Sequence, residues 1–108
     1  MFKVSSQFAI QRTIEDVKSD DNRVQITGYV QEISENDHFI MDDKTGKIKV
    51  NIENIEFNYK NNDLINVFGD LMIQVDCEKQ IIADIIQDMN KLNFSYYVKL
   101  YHLKKELE

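Results

Sequence analysis

Proline is absent from the 108 residues and glycine occurs only three times. Without proline, helix ends have to be set by capping side chains. Three glycines are too few for a loop that cradles phosphates with its backbone. One cysteine, Cys77, excludes an internal disulfide and a cysteine-rich zinc site; it reads as a semi-exposed loop thiol. No apolar run approaches the length of a membrane span. The opening MFKVSSQFAI lacks the apolar stretch and small-residue cleavage site of a signal peptide. The expectation is an intracellular protein, in the cytoplasm or nucleoid (the nucleus if eukaryotic), without a membrane partner. Basic excess is also missing. The formal charge is -6, and lysine outnumbers arginine eleven to two. That argues against a strong, free-standing nucleic-acid binder, yet leaves room for a local basic strip. Lysines supply point charges suited to phosphates, not planar forks suited to base edges.

What is present is ordinary for a folded domain: 43% hydrophobic and 30% charged residues. The chain reads as one domain over residues 1–108, long enough for one core. TIEDVK, residues 13–18, predicts a short helical turn in which Thr13 and Asp16 form a weak capping box. In VQITGYVQEI, Val24, Ile26, Gly28 and Val30 share one face, as a half-buried strand requires. Gly28 on that face predicts a sharp coil or a close backbone approach. FIMDDKTGKIKVNI predicts a hairpin. Phe39, Met41, Ile48, Val50 and Ile52 point inward, Lys47, Lys49 and Asn51 point outward, and Gly46 is placed for a positive φ in the turn. Residues 53–62 read as a connection with a helical turn in it. Ile65, Val67 and Gly69 mark a fourth strand, Glu78 and Lys79 close a turn, and QIIADII is a fifth, apolar enough for both faces to be partly covered. The cover has to come from the remainder, NKLNFSYYVKLYHLKKELE, whose spacing is helical with Asn93 as N-cap and lysines near its end.

Five short strands with a link between the third and fourth predict a mainly β chain: a small closed barrel of the OB type over about 22–88, with a C-terminal α-helix over about 93–107. Three pieces carry a closer resemblance: RTIEDVKSDDNRVQITGYV, HFIMDDKTGKIKVNI and NDLINVFGDLMIQ. Together they resemble the OB domains of the replication protein A family, through Gly28 and Val30, then Asp43, Thr45, Gly46, Ile48 and Val50, then Asp63, Ile65, Val67 and Gly69. With a helix behind the barrel, the chain looks most like the core of the middle or small subunit, or an archaeal-like single-stranded DNA-binding protein. Zinc ligands in the numbers of the family's large subunit, a winged-helix domain and a phosphorylated tail are missing.

The resemblance implies a non-catalytic subunit of a single-stranded DNA-binding complex in replication or repair. The strand would contact the outer face of the second and third strands: His38, Ile40, Lys44, Lys47, Lys49 and Asn51, with Tyr29 as a stacking platform nearby. A solvated sheet face explains the same lysines equally well. Asp43 and Thr45 read as turn-formers. The pairs Asp42–Asp43 and Asp20–Asp21 read as solvated acids, since no third ligand converges on either; no metal, cofactor or nucleophile–base arrangement is expected. On the helix, Phe94, Tyr97, Val98 and Tyr101 form one apolar stripe, and Tyr96, Leu100, Leu103 and Leu107 a second at spacings of four, three and four. One barrel covers one stripe. The second predicts an interface with other OB-fold subunits or with another copy, unless the whole arc wraps its own barrel. Two rival readings stay open: a protein-binding OB adaptor, and an RNA-binding OB module.

Overall fold

The computed structural model describes residues 9–35, 37–76 and 78–107. Six strands and one helix follow in order: β1 (Ile10–Gln11), β2 (Arg23–Ser34), β3 (His38–Asp42), β4 (Lys47–Asn51), β5 (Leu64–Ile73), β6 (Lys79–Asp88) and α1 (Phe94–Leu107). Strands β2 to β6 form the five-stranded closed barrel that the alternating pattern predicts. The long β2 closes it by serving two neighbours: residues 23–29 pair antiparallel with β5, and residues 29–34 pair antiparallel with β3. Strands β3 and β4 form a hairpin, as do β5 and β6, and a short parallel pairing of residues 49–51 with 80–82 joins the two hairpins. The two-residue β1, which the sequence pattern does not announce, lies parallel to β2 through Ile10–Val24 and Gln11–Gln25.

The interior is filled as the period-2 pattern requires. Val24, Ile26, Val30, Phe39, Met41, Ile48, Val50, Ile65 and Val67 are all buried, joined by Ile52, Ile81 and Ala83. The connection over 53–62 is not helical. It runs irregularly across the barrel, with Ile55, Phe57 and Tyr59 turned toward the core. Phe57 stacks on the buried Phe39 with ring centroids 5.0 Å apart and so extends the core.

Several local expectations are corrected. Residues 14–16 form a 3-10 turn, and Thr13 makes no side-chain capping bond to it. The carboxylate of Asp16 is turned instead toward Tyr101 and Lys105. The positive φ of the β3–β4 turn, 74°, is at Lys44 and not at Gly46. Gly46 lies under a close neighbour instead: a Cβ there would sit 3.2 Å from Ile14 Cγ2. Asp21 and Asp43 are buried, not solvated. Two bonds from Arg12, at 3.1 and 3.2 Å, and the Lys18 amide at 2.9 Å hold Asp21. Burial pushes its carboxyl up, but those donors outweigh burial and leave it below the ordinary value. The outer face of β6 is not covered by the helix along its length, for Ile85 is half exposed. The reading of Cys77 and that of the first residues fall outside the described residues.

The helix begins where the sequence places it. Asn93 Oδ1 accepts the Tyr96 amide at 3.1 Å, and Lys104 and Lys105 lie in the last turn. It is tied to the barrel at three levels. Phe94 meets Tyr29 edge-on with centroids 5.2 Å apart, Gln11 Nε2 donates to Tyr97 Oη at 2.8 Å, and Tyr101 is buried against the 3-10 turn. No helix among the described residues is long and apolar enough to cross a membrane.

Candidate nucleic-acid interface

The outer face of β2–β3–β4 is laid out in cross-strand rungs. Tyr29 faces Asp42, which faces Lys47; Gln31 faces Ile40, which faces Lys49; His38 faces Asn51. Opposite charges at Asp42 and Lys47 suit directly opposed positions on one face. The second acid of the pair, Asp43, points the other way. It is 2% exposed. Its carboxylate accepts the Thr45 amide at 2.9 Å and the Thr45 hydroxyl at 2.6 Å, closing the turn. It also accepts the Ile14 amide at 2.7 Å, while Thr45 Oγ1 accepts the Glu15 amide at 3.1 Å. The hairpin turn is thereby fastened to the 3-10 turn. Asp42 contributes on the solvent side by accepting the Lys44 amide at 2.8 Å.

A groove of about 540 Å³ runs between this face and the start of β6. Ile40 supplies an apolar wall, Lys47, Lys49 and Lys79 supply positive charge, and Glu32 and Glu78 line it as well. Of the seven residues expected on this face, the groove brings together Ile40, Lys47 and Lys49. His38 and Asn51 lie at the far end of β3 and β4, and Asn51 Oδ1 is engaged by the Glu53 amide at 3.0 Å. Tyr29 and Lys44 stand apart from the groove and with each other: Lys44 Nζ is 5.3 Å from the Tyr29 ring centroid. With Phe94 against its other contacts, the Tyr29 ring is half-buried and is not a free platform. Lys79 and Glu78 escape a sequence reading because a non-local pairing, Lys49 beside Gln80, brings them in, whereas Glu32 follows Gln31, the β2 partner of Ile40. Among the described residues no group of three His, Cys, Asp or Glu side chains could hold a metal.

The second apolar surface is on α1. Tyr96, Leu100, Leu103 and Leu107 are 60%, 48%, 55% and 82% exposed. The other stripe faces the barrel, with Phe94, Tyr97 and Val98 half-buried and Tyr101 fully so. At the helix–barrel seam a small cavity of about 190 Å³ is lined by Gln11, Arg12, Tyr101 and Lys104, among others.

A family model described as "Bacterial OB fold (BOF) protein" matches residues 5–88, and the chain belongs to that family. The match ends with β6, so α1 lies beyond the matched residues. Among solved structures, the telomere capping protein Ten1 from Saccharomyces pombe superposes with a TM-score of 0.71 at 14% identity, over 92% of this chain and 99% of that one. The hypothetical protein ygiW from E. coli gives 0.62 at 21% identity, over 75% and 91%. A replication protein A heterotrimer bound to ssDNA gives 0.55 at 20% identity, over 76% and 66%. At these identities the likeness is one of fold. No curated protein matches the sequence.

Proposed function

We propose that this bacterial OB-fold protein is a non-catalytic subunit of an intracellular single-stranded DNA-binding complex, comparable in role to the middle or small subunit of replication protein A. The barrel contacts the strand, and α1 holds the subunit in its assembly. The observation that carries the reading is the lysine-lined groove across the outer face of β3 and β4, where Lys47 and Lys49 are joined by Lys79 beside the apolar Ile40. Lysines there meet phosphates without reading bases. The described groove offers no aromatic platform and the chain carries a net charge of -6, so contact by one copy is weak. Affinity then comes from linking several such contacts in one assembly, which is the work assigned to α1.

The test is titration of fluorescent oligo-dT, and of oligo-U in parallel, with the wild type and Lys47→Glu/Lys49→Glu at two salt concentrations. Each phosphate contact adds about 0.7 to the slope of log affinity against log salt. The double variant is expected to bind more weakly with a shallower slope, and equal binding by both proteins rejects the groove. A second reading, an adaptor whose barrel binds only protein, is favoured by Glu32 and Glu78 in the lining of the groove and by the engagement of Tyr29 with Phe94. Absence of any binding at low salt selects it.

A further inference from the structure

We infer that α1 pairs with α1 of a second copy of this chain, antiparallel, about a two-fold axis that passes between Leu100 and Leu103. The inference rests on the reading of α1 as the assembly element and names its partner. Spacings of four, three and four put Tyr96, Leu100, Leu103 and Leu107 on alternating core positions of a heptad. Of the residues on the barrel-facing stripe, Phe94, Val98 and Tyr101 then take positions on the opposite side of the same helix, and Tyr97, held by Gln11, flanks the free seam. One helix thus carries a barrel seam and a free seam. The helix is 14 residues long, roughly 21 Å at 1.5 Å per residue, which limits the free seam to about two heptads.

Charge decides the partner and the direction. Lys99 and Glu106 are both exposed and take equivalent flanking positions seven residues apart, on the same side of the seam. In an antiparallel pair these positions face each other, so Lys99 of one copy meets Glu106 of the other, and the two-fold repeats the contact. In a parallel pair Lys99 faces Lys104 of the other copy, and two repulsive contacts result. The surface is therefore complementary to itself in one orientation, as an isologous interface requires. In that orientation Leu100 packs against Leu103 of the second copy, and Tyr96 against Leu107. Four apolar side chains per copy are a small patch beside the roughly 20–30 residues a side of a standard interface, so the pairing is concentration-dependent.

The test is analytical ultracentrifugation of the full chain over a wide concentration range, with four variants. The wild type is expected to pass from monomer to dimer, and Leu100→Glu/Leu103→Glu to stay monomeric with an unchanged β-sheet spectrum. Lys99→Glu and Glu106→Lys are each expected to raise the dissociation constant about tenfold, from two lost attractions and two new repulsions. The double charge swap is expected to restore the wild-type value. Tighter dimerisation by Lys99→Glu overturns the antiparallel arrangement, because only a parallel pair sets that residue against Lys104. A wild type that stays monomeric at every concentration overturns self-pairing. In that case, loss of a different protein partner in Leu100→Glu/Leu103→Glu leaves the assembly role of α1 standing, and no partner at all removes that role as well. Oligo-dT binding by the monomeric variant tests the groove separately from either outcome.

Discussion

The phenolic hydroxyl of Tyr101 donates to Asp16 Oδ2 at 2.9 Å, across 85 residues of sequence. Lys105 Nζ reaches the same oxygen at 2.7 Å, so one carboxylate receives two donors from successive turns of α1. The lysine bond first, then the tyrosine bond, holds the Asp16 carboxyl below its ordinary value against the opposing effect of burial. Burial and the nearby carboxylate push the Tyr101 hydroxyl up, and Asp16 raises the exposed Lys105.

Docking of α1 is accordingly predicted to weaken at both ends of the pH scale. A carboxyl depressed in the folded state contributes fully above its unfolded value and loses that contribution as pH falls through the folded value. A tyrosine or lysine raised in the folded state contributes fully below its unfolded value and loses that contribution as pH rises. The helix is thus held most firmly between about pH 4 and pH 10. Protection factors of the amides over 94–107, taken relative to the intrinsic exchange rate at each pH, are expected to fall outside that window. Asp16→Ala should flatten the acid limb, whereas Tyr101→Phe should cost about 1 kcal/mol within the window.

Asp43 is predicted to be the costliest single loss in the β3–β4 turn. Alanine there leaves the Ile14 and Thr45 amides without their acceptor in a buried setting. The expected destabilisation is about 2–3 kcal/mol by urea unfolding, with Asn intermediate because it keeps one acceptor oxygen. A loss as small as that of an exposed acid would remove the staple between the two turns from this account.

The barrel was legible in the sequence because its information is local. Alternation in 24–33, 39–41 and 48–52 assigns inside and outside residue by residue, and a slip of one position would expose the whole core set. The same alternation at Ile55, Phe57 and Tyr59 was available to place the connection against the core, and a helical turn was expected there instead. Asn93 as N-cap and the two stripes of α1 were equally local. What the pattern does not hold is which distant element meets which. Asp16 suits a capping box with Thr13, but the Tyr101–Lys105 arrangement takes its carboxylate. Asp21 resembles a solvated acid until Arg12 folds over it. Tyr29 reads as a platform until Phe94, from the far end of the chain, arrives beside it. The groove is half legible for the same reason: Lys47 and Lys49 belong to one strand, whereas Lys79 arrives through the parallel β4–β6 contact.

Gly69 and Gly46 separate two degrees of crowding. At Gly69, beside the bulge in the β5–β6 pairing, a Cβ would collide with the Ile82 carbonyl oxygen and lie 2.9 Å from Ala83 Cα, both backbone atoms that cannot yield. At Gly46 the obstacle is one methyl group of Ile14 at 3.2 Å. Gly69→Ala is expected to cost roughly 3 kcal/mol and Gly46→Ala less than about 1 kcal/mol. Thermal unfolding of the two variants side by side distinguishes them, and equal losses would contradict the register of β5 on β6.

Tyr29 and Phe94 give the sharpest check on whether α1 restrains the barrel's outer face. In the wild type the Tyr29 ring is taken up by Phe94 at 5.2 Å and by Lys44 at 5.3 Å, so Tyr29→Ala is expected to change oligo-dT affinity by less than about twofold. Phe94→Ala removes the edge contact and leaves only the exposed Lys44 side chain against the ring, which a base can displace. In that background Tyr29 is free to stack on a base, a contact whose loss costs roughly 1–3 kcal/mol. The second substitution should then be costly where it was nearly silent before. A double-mutant cycle measured by fluorescence titration reads the difference as a coupling between the two residues. Additive effects of Tyr29→Ala and Phe94→Ala would mean that the ring takes no part in strand contact whether α1 covers it or not, leaving the lysine groove as the whole of the interface.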